Sequence, residues 1–382
     1  MSKLNFWIKN ARSISLPQSA LPCLTAIILC IGQEGFLWWL AIPVFLGICA
    51  AHLGMNLADD YFDYKHDSRI RSDINKDSVR ARMEKCHYLR REGEPAQDNK
   101  ATVSQLGWAI VGFLGFAALM GASAFVAQWL VHGWQAAMGI VLYAILGLIV
   151  GINYSGKPLE LGFHGLGELV IGLMFGPLCM LGVQAAMTGA MFSWPMLCMS
   201  IAIGSMVTNI VYVHSVMEVD ADAQLGKMTY ARLLQKIASY FKRSDLQQSD
   251  LQQSDLQGLA RSTAEGDLKA PTGAILMIIF IAFFALLPFA LLAVGIALGW
   301  WPVWFLLTAL TLPMSVYLIY STRLFAYGLP RNDTPRWWMG PMGDWDKYKQ
   351  AGIDWFLFRW LLARNICTFF CLIVIIVTLI VR

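Results

Sequence analysis

Residues 36–67 read FLWWLAIPVFLGICAAHLGMNLADDYFDYKHD, and the fold of the chain follows from the way this stretch changes character. Residues 36–58 are almost wholly apolar, long enough to cross a bilayer as one helix, which takes about 20 such residues. Asp59, Asp60, Asp63 and Asp67 then arrive in quick succession, with no glycine or proline to stop the helix. If the helix continues, the i, i+3, i+7 spacing of Asp60, Asp63 and Asp67 puts all three on one face. Carboxylates at the edge of a membrane are costly and usually functional.

The rest of the chain repeats the apolar half of this pattern. Of 382 residues, 57% are hydrophobic and 14% charged, against about 25% charged in a soluble domain, and the mean hydropathy is +0.54. Further apolar stretches lie at 14–33, 102–127, 132–153, 166–188, 194–216, 272–297, 301–320 and 360–381. The expected fold is therefore an all-α, polytopic bundle of about nine transmembrane helices, forming a single domain over 1–382. With the N-terminus cytoplasmic, the inner side holds the N-terminal segment and the loops 59–101, 154–165, 217–271 and 321–359. Together these carry 27 of the 29 Lys and Arg residues, as the positive-inside rule requires. That places the chain in the cell inner membrane, with its acidic helix ends opening to the cytoplasm.

The net charge of +4 is thus a topology signal and a surface for membrane lipids, and no nucleic-acid partner is expected. Seven of the eight cysteines lie in apolar spans and read as small packing residues. Ser13, Ser15 and Gln18 lead directly into the first span, which does not look like a cleaved signal. Two loops are polar. Residues 68–100 are compatible with a short surface helix, and 236–270 contains SDLQQ at 244–248 and 249–253, then SDLQ at 254–257. That five-residue period suits neither helix nor strand and reads as a flexible insertion. The Trp-rich stretch 321–359 reads as an interfacial anchor.

A second acidic cluster closes the sixth span: Glu218-Val-Asp220-Ala-Asp222, then Gly226-Lys227-Met-Thr229. Glu218 and Asp222 are i, i+4 and share a helix face, whereas Asp220 is turned about 200° away. Spans two and six run in the same direction, so both clusters are expected at one interface. Carboxylates gathered there repel unless cations intervene. All-oxygen donors suit Mg²⁺, which commonly bridges carboxylates to substrate phosphates. Lys227, Lys157, and Arg69 or Arg71 are the cations expected to hold a diphosphate beside it. Two other readings stand: solvated helix ends, and a carboxylate-lined cation transporter, which would more naturally carry its acids near mid-span.

At these motifs the chain resembles the UbiA superfamily of intramembrane prenyltransferases. That family pairs NDxxDxxxD after helix 2 with DxxxD after helix 6. Here Asp59 stands for the usual Asn and Glu218 for the first Asp of the second motif. Three stretches look like the branch that prenylates 1,4-dihydroxy-2-naphthoate toward menaquinone: Ala11-Arg12-Ser-Ile-Ser-Leu-Pro17, Asn56-Leu-Ala-Asp59-Asp60-Tyr61, and Tyr154-Ser-Gly-Lys157-Pro158-Leu159 running on to Gly165-Leu-Gly167-Glu168. That branch usually reads Asn-Asn-x-Arg-Asp where this chain has His214-Ser215-Val216-Met217-Glu218. The resemblance implies a polyprenyltransferase using Mg²⁺, a polyprenyl diphosphate and an aromatic acceptor. It implies Asp60, Asp63, Asp67, Glu218 and Asp222 as catalytic metal ligands, and Tyr154, Lys157, Lys227 and Arg69 around the diphosphate. Arg12 and Asn56 would lie on the acceptor side. Hydroxybenzoate, haem or a glycerophosphate are alternative acceptors within the superfamily.

Overall fold

A computed structural model describes residues 3–70, 88–90, 100–217, 219–224, 228–237, 271–327, 329–350 and 352–381. Among them nine helical spans are long and apolar enough to cross a membrane, and the one β pairing is an isolated bridge between Leu89 and Ala101. The helices are α1 (Lys3–Asn10), α2 (Pro17–Cys30), α3 (Ala41–Ile70), α4 (Val103–His132), α5 (Trp134–Ser155), α6 (Gly167–Leu173), α7 (Cys179–Thr188), α8 (Trp194–Met217), α9 (Val219–Gln224), α10 (Pro271–Ala297), α11 (Leu312–Ala326), α12 (Trp345–Gln350) and α13 (Asp354–Val381). The expected insertion lies outside the described residues from 238 to 270, as does most of the loop 68–100.

The described residues fall into two compact units, Met1–Leu161 with Leu173–Gly204 and Cys371–Arg382, and Gly162–Gly172 with Ser205–Phe370. In the first unit α3 and α4 approach closely because α3 carries glycine where α4 crosses it. A Cβ on Gly54 would lie 2.8 Å from Leu114 Cδ2, and one on Gly47 3.0 Å from Met120 Cβ. In lipid, where burial against water drives nothing, such close backbone packing is what holds helices together. α4 starts sharply at Thr102, whose hydroxyl accepts from Gln105 N (3.2 Å) while Gln105 Oε1 accepts from Thr102 N (2.9 Å). Between α6 and α7 the chain widens to a π-helical turn, Met174–Leu178, around Pro177. Proline has no N–H to continue the regular ladder, and the bulge brings the Phe175 ring to 4.6 Å from that of His52.

In the second unit, an aromatic cluster ties α8 to α10. Tyr212 and Tyr230 both lie 4.4 Å from the Phe280 ring, and Phe284 continues the stack. His214 packs edge-on against Phe356 at 5.1 Å. The last span begins at Asp354, earlier than the expected 360, so Arg359 belongs to the span and not to the preceding loop. The hydropathy of the sequence hides this because Arg359 is charged. In the fold it is fully buried and its charge is met: Nη1 and Nη2 donate to both oxygens of Asp333 (3.1 and 2.9 Å), Nε and Nη2 to Ser321 O, and Nη1 to Trp355 O. The second span likewise runs to Phe62, and the third to His132, beyond their expected ends.

Candidate active site

The first acidic motif sits on a helix that does not end with the membrane. α3 has 30 residues, about 45 Å at 1.5 Å per residue, well over a bilayer core. It runs unbroken through Asp59, Asp60, Asp63 and Asp67, so the helical spacing on which the motif reading depends is present. The side chains of Asp63, Asp67 and Arg69, and all of Glu218 and Lys227, lie outside the described residues.

The described part of the site is built around Arg12. Between α1 and α2 the chain turns at Arg12 in the left-handed region, φ 58° and ψ 48°, a conformation that costs a non-glycine residue about 1–2 kcal/mol and clusters at functional sites. Side chains of α3 hold that turn. Asn56 Nδ2 donates to Ala11 O (2.9 Å) and to Ser15 Oγ (3.2 Å), and Ser15 Oγ donates to Arg12 O (2.7 Å). His52, one turn earlier on α3, meets Ser15 Oγ through Nε2 (3.2 Å) and Ser19 Oγ through Nδ1 (2.6 Å). The Arg12 guanidinium then reaches along α3. Its Nη2 donates to Asn56 O (2.9 Å) and to Asp59 Oδ2 (3.0 Å) and lies 3.2 Å from Asp60 Oδ1.

Both carboxylates have further partners. Ser155, at the end of α5, donates to Asp59 Oδ1 (2.5 Å). The Tyr88 hydroxyl donates to Asp60 Oδ2 (2.9 Å), and Asp60 is only 1% exposed. Tyr88 is carried there by a short pairing, Ala101 N to Tyr88 O and Arg90 N to Ala101 O (both 2.8 Å). Its ring packs edge-on against Phe6 and Trp7 of α1. The structure thus brings Arg12, Asn56, Asp59 and Asp60 together. Tyr154 and Lys157 flank Ser155 in sequence, Tyr154 partly buried and Lys157 exposed.

The second motif has its own support. Asp222, on α9, is buried, and its main-chain oxygen accepts from Arg232 Nη1 (3.1 Å). The segment after the motif is tied to the start of α6. Gly165 N donates to Met228 O (2.7 Å), and both oxygens of the buried Glu168 accept from Tyr230 N (3.1 Å each). Gly165 adopts φ +79°, where a side chain would be strained, and a Cβ there would meet Leu233 at 3.1 Å. Burial and, after it, the Glu168 carboxylate push the Tyr230 phenol above its usual range. The Thr229 hydroxyl is buried without a hydrogen-bond partner among the described residues.

Sequence reasoning missed Tyr88, Ser155, Glu168 and His52. Ser155 and Glu168 both lay inside the stretch that runs from Tyr154 to Glu168, but nothing in their spacing named a partner. Tyr88 is an isolated aromatic in a charged loop, a weak signal.

These features define a class, a polytopic α-helical membrane protein whose helices end in paired acidic motifs, and comparison with known proteins agrees. The model of the UbiA prenyltransferase family matches residues 19–242, more than half of the chain. The chain belongs to that family and is a prenyltransferase, a multi-pass membrane enzyme. It is similar to the 1,4-dihydroxy-2-naphthoate octaprenyltransferase of Mycobacterium tuberculosis, 25% identical over 231 residues, 60% of this chain and 70% of that protein. A protein of the same description from Mycobacterium leprae is 23% identical over 232 residues, with the same shares covered. The 2-carboxy-1,4-naphthoquinone phytyltransferase of Synechocystis sp. is 32% identical over 108 residues, 28% of this chain and 35% of that one. A UbiA homolog from Archaeoglobus fulgidus, solved bound to DMAPP and Mg²⁺, matches over 85% of this chain and 99% of its own, with a TM-score of 0.41 and 12% identity.

Proposed function

We propose that this prenyltransferase moves a polyprenyl group from its diphosphate to 1,4-dihydroxy-2-naphthoate, in menaquinone biosynthesis, at the cytoplasmic face of the inner membrane and with Mg²⁺. The observation that carries the reading is the Arg12 turn. A guanidinium held beside the first acidic motif suits an acceptor that carries a carboxylate and must lie next to a diphosphate. The two Mycobacterium relatives, named for that acceptor, support the choice over hydroxybenzoate, haem or a glycerophosphate.

The residues fit the ion chemically. The carboxylates of the two motifs are hard oxygen donors, the kind that suits Mg²⁺. Asp60, Asp63, Asp67, Glu218 and Asp222 would hold it. When bound, the ion supplies charge neutralisation on the diphosphate oxygens. Lys157 and Lys227, with Arg69 and the Tyr154 hydroxyl, would bind the same oxygens and hold the leaving group as the allylic C–O bond breaks. Arg12 and Asn56 orient the acceptor so that its ring carbon faces the allylic carbon. A carbon–carbon bond forms and the acceptor's carboxyl group departs as carbon dioxide. We assign to Asp60 the role of base toward the ring hydroxyl, which makes the ring electron-rich as the bond forms. The apolar helices around the site keep bulk water from the allylic cation.

The test is mass spectrometry of products from purified protein given a panel of prenyl diphosphates and aromatic acceptors, with and without Mg²⁺. The expected product is a prenylated naphthoquinol that has lost the mass of carbon dioxide. Prenylation of hydroxybenzoate in its place would refute the acceptor assignment.

A further inference from the structure

The first position of the acidic motif holds an aspartate, Asp59, where the family's pattern has asparagine. Its surroundings say what the extra charge does. One oxygen accepts from Ser155 at 2.5 Å and the other from Arg12 at 3.0 Å, and the carboxylate is 13% exposed. An asparagine could keep one of these as a neutral hydrogen bond, but it could not serve as counter-charge to a guanidinium.

We propose that Asp59 is a positioning residue, distinct from the metal-holding set: it fixes the Arg12 guanidinium for a carboxylated aromatic acceptor and pins the end of α5, next to Tyr154 and Lys157, to α3. Three features of the molecule converge on this. Arg12 turns through a left-handed backbone conformation, which persists only where neighbours over-determine it, and Asn56 and Ser15 do so from α3. The guanidinium contacts then fall within one turn of α3, at Asn56, Asp59 and Asp60. Asp60 meets Arg12 through Oδ1 and Tyr88 through Oδ2, whereas Asp59 meets Arg12 through Oδ2 and Ser155 at the end of α5 through Oδ1, so Asp59 is the carboxylate that ties Arg12 to α5. The ligand class is set by the cation presented: an aromatic acid, with the carboxylate toward Arg12. The assignment of the acceptor rests on the reading given above, whereas the hold on Arg12 does not.

The experiment uses the full-length enzyme in detergent, with Asp59→Asn, Asp59→Glu, Ser155→Ala and Arg12→Gln. Two measurements are made: acceptor and prenyl diphosphate kinetics, and the rate at which phenylglyoxal modifies Arg12, followed by mass spectrometry. In Asp59→Asn, Arg12 should be modified at least threefold faster. The acceptor KM should rise about tenfold, while kcat and the prenyl diphosphate KM stay within about threefold. Asp59→Glu should recover most of the acceptor KM, and Asp59→Asn should add little to Arg12→Gln, because the two act as a unit. Ser155→Ala should speed Arg12 modification in the same direction, by less. An unchanged modification rate, or an acceptor KM that falls on removing the Asp59 charge, would overturn the proposal. Faster modification in an enzyme that takes no carboxylated acceptor would leave the hold on Arg12 standing and refute the acceptor reading instead.

Discussion

Removing the charge of Asp333 is expected to destabilise the second unit more than removing its partner. Arg359 is fully buried at the start of α13, and the Phe325 and Phe358 rings lie 5.3 and 5.9 Å from its guanidinium. Asp333 gives it two charge-assisted hydrogen bonds, and the carbonyls of Ser321 and Trp355 supply the rest. With Asp333→Asn the guanidinium stays buried with only neutral acceptors, the situation that costs about 3–5 kcal/mol for a broken buried pair. The carbonyl contacts and the partial exposure of Asp333 favour the lower end, about 3 kcal/mol. With Arg359→Met the buried charge disappears and an apolar chain of similar length fills the space. Asp333, 12% exposed and 3.3 Å from Arg331, keeps a cation and some water. That variant should lose about 1–2 kcal/mol, mostly from carbonyls left unmet, and the double variant should be no worse than Asp333→Asn alone. Because membrane proteins in detergent commonly unfold irreversibly, the measurement is the half-life of monodisperse protein at fixed temperature, by size-exclusion chromatography. The order expected is wild type, Arg359→Met, then Asp333→Asn. If Arg359→Met decays faster than Asp333→Asn, the pair is not organised around a buried charge and the reasoning is wrong.

Four further outcomes are expected. Asp222→Asn should lower prenyl transfer by roughly a hundredfold and demand more Mg²⁺, whereas Asp220→Asn, on the opposite helix face, should stay within about fivefold; the reverse order in Mg²⁺ titrations of the two would reject the assignment of faces. Glu168→Ala should cost about 1–3 kcal/mol by taking from the part-buried Tyr230 N its acceptor, visible as a shortened half-life that Glu168→Gln largely restores. Deleting 244–257 should leave transfer within a few-fold, since changing the length of a connecting segment costs little in closure entropy; total loss in well-folded protein would place the repeat in the site. A cysteine put at Ser249 should resist a membrane-impermeant maleimide applied to intact cells, and labelling there would refute a cytoplasmic insertion.

The bundle was legible because hydropathy acts over some 20 residues and tolerates error in any one of them. Its failures came where a single charge was satisfied by distant partners. Arg359 shortened the expected last span because Asp333 and Ser321, 26 and 38 residues away, are invisible to any local window. The carboxylates of the first motif were found by helical spacing, but spacing treats Asp59 and Asp60 as equals. Their partners come from three separate places in the chain, the Arg12 turn, Tyr88 and Ser155. These divide the work between the two, and no periodicity records that division. Family pattern marked Asp59 as a departure; the ion pair with Arg12 gives the departure its physical reason.

The ties of Gly165 and Glu168 to Met228 and Tyr230 bear on how this enzyme could carry the SDLQQ repeat that follows in its sequence. Residues 228–230 are moored to the start of α6 before the chain reaches that repeat. Between Asp222 and the repeat, the chain is thus hydrogen-bonded at Met228 and Tyr230 to a separate segment of the same unit, so a change in repeat length meets that anchorage before it meets the second motif.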